Sequence, residues 1–352
     1  MRIGIDVRKI ADYGIGTHIR NVVLSAASLA RNHEFVLYYD PANKVDINSS
    51  SFRWVEEPSA KYSVWEHFSL ARKAKADGVE LFHSPHYTLP LMVDCPSIVT
   101  IHDLIHLKFQ KYFPTWKVQA AKYVMKQATQ KARRIIAVSE TTREDLLQWF
   151  PGISEKVRMI YNRLSQEWFQ APPPIDLKDL GIPSDFLLYV GNFKKHKGID
   201  TFIEAYRRRA DLPMLVLVGQ GHQMDHELSA KILGTPNVRL LGFADGKFLR
   251  KLYSQAILFV FPSLYEGFGY PPLEAMASGC CVLSSDAPAM KEVLGSAAEF
   301  FERGNAEELL SKIELLLTDS ERRKVLMSSG LERAKMFATD ESPRLLLQEW
   351  EF

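Results

Sequence analysis

The stretch from Ala256 to Ser285 constrains this chain most, because it spells a strand, a loop, a short helix and a second strand with almost no slack between them. Ala256 to Phe261 is an apolar run of strand length that breaks at Pro262 into a loop carrying Glu266, glycines and aromatics. Pro271 and Pro272 suit the first helical positions, Glu274 is expected in the first turn where its charge suits the helix dipole, and Gly279 is placed to end the helix. Cys280 to Ser285 follows as the next strand. A unit of this kind belongs to an open α/β sheet, whose ligands bind in the crevice at the carboxyl ends of the strands beside a helix N-terminus. An anionic ligand is expected there.

Two carboxylates at such a place should repel the phosphate that a helix end attracts. They fit if neither touches phosphate and each accepts hydrogen bonds from hydroxyls, as an acidic residue does from a ribose diol in dinucleotide sites. That describes a nucleotide-sugar. The E-x7-E spacing from Glu266 to Glu274, inside PSLYEGFGYPPLEAMASG, closely resembles the signature of retaining glycosyltransferases of family 4. A surface loop followed by an ordinary capped helix is the alternative, which the surrounding glycines, prolines and strand boundaries disfavour. The resemblance implies the GT-B fold: two Rossmann-like α/β domains facing across a cleft, with a C-terminal helix crossing back to the first domain.

At about 150 residues per domain, 352 residues hold two domains. Strands alternate with helices in both halves, and Gln170-Ala171-Pro172-Pro173-Pro174 is the clearest linker. The expected division is 1–170 for an acceptor domain, 171–340 for a donor domain and 341–352 for the returning helix. A net charge of +2 is too small for a nucleic-acid binder, so no nucleic acid is expected. Cys95, Cys280 and Cys281 make neither a disulfide framework nor a C-x-x-C metal site, which favours a reducing cytosol. The opening MRIGIDVRKI reads as a strand rather than a signal peptide, and no run approaches the ~20 apolar residues of a membrane span. The expected location is cytoplasmic, with the membrane's cytoplasmic face as a peripheral address.

In the first half, Arg2 to Val7 reads as a strand and Ala11 to Gly16 as a glycine loop feeding a helix from about Thr17 to Ala30. The dinucleotide fingerprint would need glycine at position 19, where Ile19 stands. By the family resemblance, a backbone amide at Gly16 lies near the donor diphosphate. His83 and His86 suit hydrogen-bonding or acceptor-side roles better than a metal site. His102-Asp103-Leu104-Ile105-His106 has the spacing of the H-E-x-x-H zinc motif, but the preceding residues are strand-like and Asp replaces Glu. A strand-end His102 resembles the family's donor-sugar histidine instead, with Asp103 as an orienting neighbour. From Leu104 to Ser139 there is no acidic residue, and Lys108, Lys111, Lys117, Lys122, Lys126, Lys131, Arg133 and Arg134 alternate with aromatics. This basic 108–134 region fits a solvated helix face or contact with anionic lipid headgroups, with RNA a distant third.

The second half restarts the same grammar with a strand at Phe186 to Val190 and the loop Gly191 to Gly198. Lys197 matches the family's diphosphate lysine, whereas Asn192 stands where the family usually has arginine. Gly219-Gln220-Gly221 lacks the third glycine of a nicotinamide site. The strand end at Phe243 is where, by resemblance, the nucleotide base is held through backbone. Further roles follow from the same resemblance: Glu274 for the ribose, Glu266 and His102 for the transferred sugar, and Gly267, Phe268 and Gly269 with Lys197 for the diphosphate. No Asp-x-Asp motif occurs, so neither a metal nor another cofactor is expected. The implied activity is retaining transfer of a hexose, mannose from GDP-mannose first, from a nucleoside diphosphate sugar to a saccharide or lipid-linked saccharide. A nucleotide-sugar epimerase of the same fold and a non-catalytic nucleotide-binding protein are the alternatives.

Overall fold

The computed structural model describes residues 1–29, 32–43, 47, 49–219 and 224–351. Met1–Arg163 together with Thr339–Phe352 form one compact unit, and Leu164–Ala338 form a second. Gln220 and Gly221 of the second Gly-x-Gly lie outside the described residues.

The first unit is built on strands β1 (Arg2–Asp6), β2 (Glu34–Tyr39), β3 (Phe52–Glu56), β4 (Leu81–Ser84), β5 (Ser97–Ile101), β6 (Arg134–Ala137) and β7 (Val157–Met159). They form one sheet in the order β3-β2-β1-β4-β5-β6-β7, every pair parallel. The central strands are apolar on both faces, as a sheet covered by helices on both sides requires. Ile3, Ile5, Phe35, Leu37, Leu81 and Ile98 face one core and Val36, Tyr38, Phe82, Val99 and Ile101 the other. The helices are α1 (Tyr13–Leu29), α2 (Val64–Ala76), α3 (Ile105–Lys108), α4 (Thr115–Lys131) and α5 (Glu140–Trp149). Ser63 and Ser139 cap α2 and α5, accepting from Glu66 N–H and Thr142 N–H.

The second unit repeats the plan with β8 (Phe186–Val190), β9 (Met214–Val218), β10 (Val238–Leu241), β11 (Leu258–Phe261), β12 (Val282–Ser285) and β13 (Glu299–Phe301), in the order β10-β9-β8-β11-β12-β13. Its helices are α6 (Ile199–Arg207), α7 (His226–Leu233), α8 (Gly246–Gln255), α9 (Tyr270–Ala277), α10 (Pro288–Leu294), α11 (Ala306–Thr318) and α12 (Ser320–Phe337). The last helix, α13 (Glu341–Trp350), belongs to the first unit.

Three expectations change. Helix α1 starts at Tyr13, so Gly14 and Gly16 lie in its first turns rather than in a loop before it. The units divide at 163/164 rather than at the proline run. Residues 164–170 are tied into the second unit: Leu164 N–H donates to Phe337 O at 2.8 Å, Trp168 packs on Tyr253, and the Arg250 guanidinium donates to Glu167 O. Finally, α12 has no counterpart in the sequence reading, because Leu326, Gly330, Ala334 and Phe337 are its only buried residues and leave little apolar periodicity to see.

Helix α13 closes one face of the first sheet. Its fully buried Trp350 meets Phe35 at a centroid distance of 5.5 Å and donates its indole N–H to His83 Nδ1 at 3.3 Å, while Glu349 accepts from Arg134 at 3.0 Å. Trp350→Ala opens a cavity under β2 and β4 and leaves His83 short of a donor. We expect a loss of about 3–5 kcal/mol in the first unit, read as an earlier denaturant transition for that unit alone.

Candidate active site

In each unit the strand order reverses, between β1 and β4 in the first and between β8 and β11 in the second. Ligands of open α/β sheets bind at such points. In the second unit the loops leaving β8 and β11 lie backbone against backbone. A Cβ on Gly198 would stand 2.0 Å from the Pro262 carbonyl oxygen, and Gly198 has a φ of +66°, so glycine is required on both counts. Leu264 N–H donates to His196 O at 2.8 Å and Ser263 Oγ to the same oxygen at 3.2 Å. Joined this way, the loops bring Lys197 Nζ to 2.6 Å from Glu266 Oε1, with the side chains 17% and 13% exposed. A charge-assisted bond this sheltered fixes both groups. Asn192 shapes the same loop: its carbonyl accepts from Tyr189 OH at 2.6 Å and its side-chain oxygen from Lys194 N–H at 3.2 Å.

Helix α9 follows Glu266 directly. Gly269 starts it at φ +97°, and a Cβ there would meet Met290 Cε at 2.4 Å. The helix ends in a Schellman arrangement, with Gly279 at φ +80°, Gly279 N–H donating to Met276 O and Cys280 N–H to Ala275 O. Pro271 and Pro272 sit in the first turn as expected but carry no N–H, so this helix end offers an anion fewer donors than an ordinary one. Glu274 is not in the first turn; it lies beyond it and is buried. Burial lifts its carboxyl to about 8, against a hydrogen bond from the buried Tyr253 hydroxyl at 3.3 Å. Phe268 turns its ring inward against Tyr270 and Phe337. Phe243 stands apart, 73% exposed beyond the edge strand β10.

The first unit gathers histidines at the carboxyl ends of β4 and β5. His102 donates through Nε2 to Pro85 O at 3.0 Å and meets His18 edge to face at 4.7 Å. Burial lowers the pKa of both rings, so His102 is a neutral imidazole with Nδ1 left as an acceptor. Asp103 does not orient it: its carboxylate accepts Ile105 N–H and starts α3. His106 lies on that four-residue helix and His102 precedes it, so the two do not share the helix a zinc motif needs. His83 is structural, held between Thr100 and Trp350. Gly16 spends its N–H on Asp12 O, and a Cβ there would sit 2.4 Å from Ile10 O, so it supplies clearance rather than a free amide.

Residues 13–164 match the family described as Glycosyltransferase Family 4, and residues 176–333 match Glycosyl transferases group 1. The two matches together span most of the chain, which is a glycosyltransferase. This glycosyltransferase is 26% identical over 269 residues to O-antigen chain mannosyltransferase B of Escherichia coli, covering 73% of this chain and 70% of that one. It is 30% identical over 248 residues to O-antigen chain mannosyltransferase RfbU of Salmonella typhimurium, covering 67% and 64%. Its fold is GT-B, shared with glycosyltransferase structures such as sucrose-phosphate synthase from Thermosynechococcus elongatus, at a TM-score of 0.79, 22% identity and coverage of 100% and 98%. Anabaena HepE in complex with UDP and glucose gives a TM-score of 0.78 at 17% identity, covering 99% and 98%.

Sequence reasoning about the glycosyltransferase missed the residues that hold the named ones. Tyr253, on α8, supplies the hydroxyl facing Glu274, and Gly330 of α12 approaches Met276 of α9 closely enough that a Cβ would stand 3.0 Å from its Cγ. A tyrosine within an amphipathic helix carries no signal of its own. A carboxyl with a higher pKa folded than unfolded contributes stability that is full below about 4.5 and is lost as pH rises through about 8. Ligand-free enzyme is therefore expected to lose on the order of a few kcal/mol in its second unit across that window, and Glu274→Gln to flatten the loss. Thermal unfolding from pH 5 to 9 checks both.

Proposed function

We propose that this glycosyltransferase moves a hexose, mannose from GDP-mannose in the first instance, from a nucleoside diphosphate donor to a hydroxyl of a saccharide or lipid-linked saccharide, with retention and without a metal. The observation that carries the reading is the second unit's loop pair, where the Lys197–Glu266 ion pair lies directly before the helix that buries Glu274. A cation, a carboxylate and a buried carboxyl on adjoining segments suit a diphosphate, a sugar hydroxyl and a ribose diol in turn. The mannose assignment rests on the O-antigen mannosyltransferases to which the chain is similar. In this reading Lys197 and the Gly267–Gly269 segment stabilise the leaving diphosphate, and Asn192 shapes the loop that presents Lys197. By family resemblance Glu266 and His102 are residues for hydroxyls of the transferred sugar, and the backbone beside Phe243 takes the base. By family resemblance the acceptor hydroxyl attacks on the face the diphosphate leaves, and the departing phosphate takes its proton.

Thermal stabilisation by GDP, UDP and ADP, with and without EDTA, tests the donor. GDP at 100-fold over its Kd should stabilise by about 2.7 kcal/mol, unchanged by EDTA. Glu274→Ala should weaken that binding at least tenfold, and Lys197→Met should lower turnover roughly 10²–10³-fold. An α-linked product from GDP-α-mannose, read from its anomeric NMR coupling, supports retention. A β-linked product, or no stabilisation by any nucleotide, would sink the reading.

Among the described residues no helix is long and apolar enough to cross a membrane. We propose that α4 touches anionic membrane peripherally. Lys117, Lys122 and Lys126 are exposed on it together with Trp116 and Tyr123, and Lys111 is exposed just before it, whereas Lys108 is paired with Asp145, Lys131 donates to Val93 O and Arg134 to Glu349. Sedimentation with vesicles containing phosphatidylglycerol should capture the protein in low salt and release it in high salt. Trp116→Ala combined with Lys117→Glu and Lys122→Glu should abolish capture; retention by purely zwitterionic vesicles would contradict the electrostatic basis.

A further inference from the structure

A second cationic group lies in the first unit, at the carboxyl end of β1, and the mechanism above does not use it. Lys9 is 5% exposed, in the turn between β1 and α1. Its Nζ meets the Tyr62 hydroxyl, sits 3.7 Å from the centroid of the Tyr62 ring and lies 3.3 Å from His86 Nε2. None of these partners carries a negative charge.

The nearby carboxylates are already engaged. Asp6 uses both oxygens on Arg8, at 2.9 and 2.7 Å, and Glu66 Oε2 accepts from the same guanidinium at 3.0 Å. Asp12 is bound to Lys61 at 2.8 Å. The titratable groups facing Lys9 are thus Asp6, Asp12, Glu66, Lys61, His86 and Tyr62, with its neighbour Arg8 paired and His102 close enough to feel its charge. Burial outweighs these carboxylates and lowers Lys9 to about 7. His86 Nδ1 lies 3.4 Å from Thr88 N and 3.2 Å from Thr88 Oγ1, and its Nε2 faces Lys9. With Thr88 N–H donating to Nδ1, the Nε2–H tautomer suits a neutral amine as its acceptor.

Tyr62 covers the site under strain. It is a non-glycine residue at φ +66°, in the left-handed region that side chains rarely adopt, and 57% of its surface is exposed although its hydroxyl reaches inward to Lys9. A removable cover over a buried lysine and a histidine N–H, at the ligand-binding edge of a parallel sheet, is an arrangement for receiving an oxyanion.

We propose that Lys9 and His86 form a subsite for an oxyanion of the acceptor, a phosphate or a carboxylate, which replaces the Tyr62 hydroxyl. The subsite rests on the transferase reading for the word acceptor, but its chemistry can be tested without turnover. Calorimetric titrations at pH 8 in two buffers of different ionisation enthalpy would use inorganic pyrophosphate, a glucuronic-acid-terminated disaccharide and its neutral glucose counterpart. The Lys197→Met protein removes pyrophosphate binding at the donor loops. In that background one of the two anionic probes is expected to bind with uptake of about one proton, and the neutral disaccharide not to bind. The probe that binds identifies the source, a phosphate-linked or an acidic saccharide.

Adding Lys9→Met should reduce that binding at least tenfold and cancel the proton uptake. Tyr62→Phe should tighten it about three- to tenfold, an opposite sign that a structural role for Lys9 would not give. Thermal stabilisation by the donor nucleotide in the single Lys9→Met protein confirms that it is folded. It also keeps a failure of this subsite separate from a failure of the transferase reading. Binding of neither anion, anion binding indifferent to Lys9→Met, or weakening by Tyr62→Phe would overturn the proposal.

Discussion

The donor-type loops of the second unit depend on one close approach, the backbone of Gly198 against the carbonyl of Pro262. With a side chain at 198 the two loops could not meet, and the bonds from Leu264 and Ser263 to His196 O would have no reason to form. That contact converts two segments some 65 residues apart into a single surface, which is why Lys197 and Glu266 share a hydrogen bond. The backbone carries the positioning of the ionic side chains.

The buried ionisable groups are treated in three different ways. Arg8 is compensated fully, by two carboxylates. His18, His83, His86 and His102 are kept neutral by desolvation, which suits them to short-range hydrogen bonding with hydroxyls. Glu274 and Lys9 are neither paired with an opposite charge nor left in water, and such groups cluster where a ligand completes the site. The cost of burying a charge explains the pattern: a buried ion without a partner destabilises the fold by several kcal/mol or gives up its charge.

Support for the Glu274 helix comes from far along the chain. Its N-terminus is fixed by Gly269 against Met290, its C-terminus by Gly279, and one side by Gly330 of α12. The segment 164–170 at the start of this unit adds to it, through Trp168 on Tyr253 and Ser278 Oγ on Trp168 O. Gly269 and Gly279 announce their function as turn residues, whereas Gly330 does not, since a glycine inside a helix signals only weakness until its neighbour is known.

The amino-acid sequence by itself determined the parallel α/β class, most strands of both units, and the loop and helix carrying Glu266 and Glu274, while Lys197 came from the family resemblance. These are local properties: apolar runs of strand length, prolines in a first turn, glycines at positive φ. Helix ends chosen by weaker local signals slipped, as with α1, which starts at Tyr13 and takes Gly14 and Gly16 into itself. Only the tertiary structure decided that residues 164–170 belong with the second unit and 339–352 with the first, that Lys197 pairs with Glu266, that His102 leans on Pro85 O rather than Asp103, and that Lys9 lies beneath Tyr62. Each of these depends on which distant side chain fills the space and on how much water is excluded. Desolvation and non-local packing are sums over the folded neighbourhood, and no window of sequence contains them.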